Sequence, residues 1–185
     1  MVDKYIGDAA ARMDQAVQHL KHTLKITRTG RASPALVEDL EVAYYGQPTP
    51  LKQIAAISVP DARTLAIQPW DKAALPDIEK AILKSDLGIT PSHDGAMIHL
   101  PLPPLSEDRR RDLVKLVHRH CEDGRVAVRN VRRDAHEHLR GLVKQKHVSE
   151  DDVRRAEHKL QSITDAHIKN IDSLSTAKER EILQV

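Results

Sequence analysis

Residues 113–142 read LVKLVHRHCEDGRVAVRNVRRDAHEHLRGL, and the spacing of their apolar and small members decides the fold. Leu113, Val117, Cys121, Gly124, Val128, Val131, Ala135, His138 and Leu142 recur every three or four residues, the period of one helix face. Ser106 ahead of Glu107 and Asp108 supplies an N-cap and first-turn acids. The helix that starts there runs for about forty residues, roughly 60 Å at the standard rise. Such a length exceeds the ordinary globular helix and needs partners all along it.

Two further stripes supply them. Ile6, Ala10, Met13, Val17, Leu20 and Leu24 form a narrow seam that stops at Thr29 and Gly30. Ser149 with Glu150, Asp151 and Asp152 caps a third helix, whose stripe is Val153, Ala156, Leu160, Ile163, His167, Ile171 and Leu174. Three seams, two of them joined by a few residues around His147, make an antiparallel three-helix bundle with a left-handed twist. The two ends of the chain therefore form one discontinuous domain, 1–30 with 105–185.

Between them, residues 31–104 form an inserted β/α domain. Strand-prone runs at Val37–Tyr45, Ile54–Val59 and Thr64–Ile67 are divided by Gly46, Pro48, Pro50, Pro60 and Asp61, which read as turn formers. A helix covers Leu75–Ser85 and a last strand Met97–Leu100. Gly30, Ser33 and Pro34 make one hinge. Pro101, Pro103 and Pro104 make the other, as a stiff connector near 101–105. The fold class is α+β, in two domains expected to move relative to each other.

Charge is distributed unevenly. The net charge is +2, yet residues 31–104 hold 6 basic and 9 acidic side chains, while the rest of the chain holds 23 and 18. With about 100° per residue and Val128 at zero, the apolar positions of the long helix cluster near 330°. Arg111, Arg125, Arg129, Arg132, Arg133, His136 and Arg140 fall between about 40° and 140° by the same geometry. Asp112, Asp123, Asp134 and Glu137 gather on another side, and Glu122 breaks the segregation. Either this is a surface for nucleic acid or another polyanion, or it is a charged exterior. Arg132 sits nearest the seam, where its stem can lie along neighbours while its head projects. Arg28 and Arg31, at the exit of the first helix, extend the same field or simply complement the helix C-terminus.

Other chemistries find little support. The chain has no Phe, one Trp and three Tyr, too few for a base-stacking platform. Among 11 histidines, His118 and His120, like His136 and His138, are two apart and diverge on a helix. His19 and His22 have ligand spacing but no completing carboxylate or thiol, while His138 and His167 fall on apolar stripes and read as packed core histidines. Cys121 lies on a seam as a small buried hydrophobe, and no glycine-rich phosphate loop or nucleophile elbow is present. No catalytic residue, metal site or cofactor is expected. No run reaches membrane-spanning length and the start, MVDKYIGDAAARMDQ, is unlike a signal or transit peptide, so a soluble cytoplasmic monomer is expected.

Four phrases carry a resemblance: ITRTGRASP at 26–34, YYGQPTPL at 44–51, PLPPLSEDRRRDL at 101–113 and VAVRNVRRDA at 126–135. In this order the chain resembles the bacterial ribosome recycling factors over essentially its whole length. The resemblance implies an L-shaped protein with a β/α domain at the elbow of a three-helix bundle. It implies binding to the large ribosomal subunit of post-termination ribosomes and subunit splitting with elongation factor G and GTP, the nucleotide being the partner's. The family's key RNA contact maps onto Arg132, flanked by Arg129 and Arg133, with Arg125, Arg28, Arg31 and Arg110 in support. A coiled-coil adaptor with a basic surface is the alternative that the residues alone leave open.

Overall fold

A computed structural model describes residues 2–27, 29–145 and 147–184. The chain is α+β and divides into two compact units. The larger takes residues up to Leu24 together with Arg111–Leu183, and the smaller takes Lys25–Arg110.

The larger unit is built from α1 (Val2–Ile26), α3 (Glu107–Lys144, 38 residues) and α4 (Glu150–Leu183). Serine caps start the second and third. The Arg109 N–H donates to Ser106 Oγ at 3.2 Å, and the Asp152 N–H donates to Ser149 Oγ at 3.2 Å while that hydroxyl donates back to the Asp152 carboxylate at 2.6 Å. The same bond from Ser149 is the main reason the Asp152 carboxyl titrates below its ordinary range.

Side-chain pairs give the helix directions. Along α1 and α3, Tyr5 meets His138, Arg12 meets Asp134 and Leu20 meets Gly124, so the two run antiparallel. Along α3 and α4, His118 meets Glu179, Arg125 meets Asp172 and His136 meets Glu157, again antiparallel. Along α1 and α4, Asp3 meets Lys159 and Asp14 meets His167, so these two run parallel.

Four expected seam positions are corrected by one step each. Ala9 is buried instead of Ala10, Leu139 instead of His138, and Thr164 and Ser175 instead of Ile163 and Leu174. The stripe of a straight helix drifts against a strict three-four alternation, and an apolar neighbour is easily mistaken for the inward residue. Thr164 tolerates burial because its hydroxyl donates to the Leu160 carbonyl at 2.8 Å. His138 is exposed and stacks on Tyr5, and His167 is half-buried with its ring nitrogens at Ile163 O and Asp14 Oδ1, so neither is a core histidine.

The smaller unit (called the sheet unit below) holds a hairpin, β1 (Glu41–Tyr44) with β2 (Gln47–Pro50). It also holds an antiparallel four-stranded sheet and one helix, α2 (Leu75–Lys84). The sheet comprises β3 (Ala55–Asp61), β4 (Thr64–Pro69), β5 (Ser92–His93) and β6 (Ile98–Pro101), in the order β3-β4-β6-β5. Its core gathers Val42, Leu51, Leu65, Ile67, Ile78, Ile82, Ile98 and Leu100. The first strand starts at Glu41, because residues 34–36 turn as a short 3-10 helix.

β2 is a strand where Pro48 and Pro50 suggested turns. Both prolines face β1 at positions of one parity, Pro48 opposite Ala43 and Pro50 opposite Glu41, where pairs that exchange no N–H bonds can sit. Tyr45 and Gly46 close the hairpin with φ of 49° and 77°, the two left-handed residues that a tight hairpin requires. Pro60 and Asp61 likewise end β3 instead of a turn, and Pro101 ends β6 opposite Thr64. Leu102 follows in the core, its N–H donating to the Arg63 carbonyl at 2.6 Å, so the first half of the expected connector is fixed to the sheet.

At Gly124 all three helices meet closely. A Cβ there would stand 3.2 Å from Leu20 Cδ2 and 3.5 Å from Ile171 Cδ1. Gly124→Ala gains about 1 kcal/mol of helix propensity against a small shift of the Leu20 methyl, and is expected to leave stability within about 1 kcal/mol of the parent. Gly124→Leu forces the helices apart and should lose about 1–3 kcal/mol or more. Urea unfolding followed by helical circular dichroism measures both.

Candidate nucleic-acid interface

α3 and α4 enclose a groove of about 550 Å³ on the outside of the bundle. Its floor is apolar, with Leu160 buried and Val126 44% exposed. Its α3 wall carries Arg129, Arg132, Arg133 and His136, and its α4 wall carries Glu157 and Gln161. Burial of Val128, Val131 and Ala135 turns these arginines outward, since residues one and four away from a buried position lie beside the seam.

The arginines differ in what holds them. Arg125 is nearly enclosed, with its side chain 21% exposed, its Nε donating to Asp172 Oδ1 at 2.8 Å and its Nη1 to Glu122 Oε2 at 3.0 Å. Burial works against its charge, but the bonds to Asp172 and Glu122 outweigh it and raise its pKa. The second oxygen of Glu122 accepts from Arg129 Nη1 at 3.1 Å. Bonds from Arg125 and then Arg129 hold the Glu122 carboxyl below its usual range. The acid that broke the charge segregation thus neutralises two of the arginines.

Arg132 and Arg133 meet only neutral groups. Arg132 Nη1 donates to Gln161 Oε1 at 2.8 Å, and Arg133 Nη2 donates to Asn130 Oδ1 at 3.2 Å. Among the described residues neither guanidinium has a carboxylate in ion-pairing reach. Their positive charge is therefore available to a ligand, and a guanidinium matches phosphate oxygens in pairs.

The other expected contacts lie in the sheet unit or outside the description. Arg31 is exposed beside Gly30, whose φ of 84° favours glycine. Arg110 is half-buried near the start of α3, and its Nε is buried with no partner among the described residues. Arg28 lies outside the described residues. Of the hinge residues, Ser33 precedes a 3-10 turn begun by Pro34, and Pro103 and Pro104 are exposed between Leu102 and α3.

Sequence reading missed Gln161 and Asn130, the two amides that hold free arginines. Asn130 is signalled by its i,i+3 spacing to Arg133, whereas the signal for Gln161 is register: it follows the seam residue Leu160, and an antiparallel α4 brings it opposite Arg132. It also missed an exposed cluster in the sheet unit. Tyr45 donates from its hydroxyl to Asp71 at 2.6 Å, which raises its pKa to about 12, and exposed Trp70 adjoins Asp71 in the chain. Cys121 is buried, and burial pushes its thiol pKa up. Among the described residues no three His, Cys, Asp or Glu groups converge as a metal would need, and no helix is long and apolar enough to cross a membrane.

A helical bundle interrupted by a small sheet unit, with an open arginine groove on the bundle, has close relatives among proteins of translation. The family model for ribosome recycling factor matches residues 20–183. The ribosome-recycling factor of Geobacillus sp. (strain WCH70) is 51% identical over 185 residues, covering all of both chains, and that of Thermomicrobium roseum is 50% identical over the same span. A solution structure of a ribosome recycling factor superposes with a TM-score of 0.81 at 44% identity, over 100% of this chain and 98% of the other. The Thermus thermophilus factor, in a structure that also describes Escherichia coli elongation factor G bound to the E. coli post-termination complex, superposes with a TM-score of 0.70 at 47% identity, over 99% of each chain. The chain belongs to the ribosome recycling factor family.

The partner assignments separate an arginine braced by two carboxylates from those held only by amides. Arg125→Ala leaves Asp172 and Glu122 without their cation and is expected to cost about 1 kcal/mol of bundle stability. Arg132→Ala, on an open groove, should change it by less than about 0.5 kcal/mol. Thermal melts of the two variants compare them directly.

Proposed function

We propose that this protein recycles ribosomes, binding the post-termination complex and acting with elongation factor G and GTP to separate the subunits. Full-length similarity to factors of that name supports the reading, as does the relative described together with elongation factor G on such a complex. The observation that carries it in this chain is the pair of uncompensated guanidinium groups of Arg132 and Arg133 over an open groove. They hold phosphates of large-subunit RNA, with Arg129 released to help when a phosphate competes with Glu122. Arg125 acts first as a brace between α3 and α4, and Arg28, Arg31 and Arg110 extend the positive field. The protein works mechanically as a cytoplasmic monomer. GTP belongs to its partner, and the chain catalyses nothing itself.

The joints at Gly30, Ser33 and Pro34 and at Pro101, Pro103 and Pro104 let the sheet unit move while the bundle stays on RNA. Because Pro101 and Leu102 are committed to the sheet unit, Pro103 and Pro104 are the movable part of the second joint. A coiled-coil adaptor is the weaker reading: Met13, Val17, Val128, Leu139 and Ile171 are already buried within the bundle, which leaves no seam for a partner helix.

Incubating post-termination ribosomes with elongation factor G and GTP should give free subunits only when this protein is added, as read by sedimentation. Arg132→Ala is expected to weaken binding to large subunits about 10- to 100-fold, the worth of a bond to a charged group. It should also reduce the slope of log affinity against log salt by roughly one. Unchanged splitting with Arg132→Ala would remove that residue from the site.

A further inference from the structure

Arg132 is held from the opposite helix, unlike Arg133, whose partner Asn130 lies one turn back on its own helix. The holder, Gln161, is itself held: its Nε2 donates to Asp165 Oδ1 at 2.8 Å, one turn further along α4. A carboxylate only accepts, so the amide nitrogen must face Asp165 and the amide oxygen must face Arg132. The orientation of the carboxamide is thereby set by chemistry.

We propose that Gln161 is a positioning residue for RNA binding, a neutral tether, aligned by Asp165, that presets the Arg132 guanidinium over the groove without cancelling its charge. This rests on the RNA-binding reading of Arg132. An arginine side chain that is already ordered loses less entropy when phosphate arrives. One N–H of Arg132 goes to Gln161, and its other donors have no partner among the described residues, so they are left for phosphate oxygens. The neutrality matters as much as the reach. One turn and two turns earlier on α3, carboxylates hold Arg129 and Arg125 and consume their charge, whereas at Arg132 the same task falls to an amide.

The test measures binding of the full-length protein to purified large ribosomal subunits over a range of salt. The variants are Gln161→Met, Gln161→Glu, Arg132→Ala and the double variant Arg132→Ala with Gln161→Met. Gln161 is exposed, and thermal melts should show every variant folded. Gln161→Met keeps the length but not the acceptor, and is expected to weaken binding about two- to tenfold with the salt slope unchanged, because Arg132 still reaches phosphate once it is ordered. In the Arg132→Ala background the same change should have no effect. Gln161→Glu is expected to weaken binding more than Gln161→Met and to lower the salt slope, since repulsion from Asp165 turns the new carboxylate onto Arg132. Wild-type affinity for Gln161→Met overturns the proposal. So does an equal loss with and without Arg132, which would make Gln161 an RNA contact in its own right. If Arg132→Ala itself binds as the parent does, the RNA-binding reading fails and takes the tether with it.

Discussion

Burial of one stripe along α3 is the constraint on which the rest depends. Val117, Cys121, Val128 and Leu139 are fully enclosed between α1 and α4, and each large side chain among them is worth about 1.5–3 kcal/mol when removed from water. That commitment sets the rotation of α3 about its axis. It also sets the register between helices, with Gly124 leaving room for Leu20 and Ile171 where a large side chain would force the helices apart. Once rotation and register are given, no freedom remains over which polar groups face each other across the outer grooves. Arg125 must meet Asp172, Arg132 must meet Gln161, and His136 must meet Glu157.

Function is then written in the partners of the arginines more than in their number. Four guanidinium groups lie within three turns of one helix and are chemically alike. Arg125 is answered by Glu122 and by Asp172 of α4 and so ties two helices, Arg129 is answered by Glu122 of its own helix, and Arg132 and Arg133 are answered by amides that leave their charge uncompensated. An exposed ion pair is worth little in water, so a phosphate can displace Glu122 from Arg129 at small cost, whereas the doubly bonded, half-enclosed Arg125 gives up its partners less readily.

The helices of the bundle, their caps at Ser106 and Ser149 and the outward arginine face were legible because each follows from local periodicity or capping chemistry. The errors in the bundle were single steps around a helix, His138 for Leu139 and Ile163 for Thr164, where a strict three-four alternation runs out of phase with the buried stripe. In the sheet unit the prolines of β2 hid a strand, because the parity that lets them pair depends on β1, which local sequence does not contain. The arginine partners supplied by α4 were illegible for the same reason. Asp172 and Gln161 lie 47 and 29 residues from the arginines they hold, and only the register of α4 brings them together.

On the proposed function, RNA approaches the bundle through the groove over Val126 and not across the acid-lined side of α3. A photoreactive phenylalanine analogue placed at Val126 or at Glu137, both exposed, tests it in complexes with large ribosomal subunits. Irradiation should cross-link the protein to ribosomal RNA from position 126 and not from position 137. Cross-links from 137 with none from 126 would contradict the assignment of the groove as the RNA-facing surface.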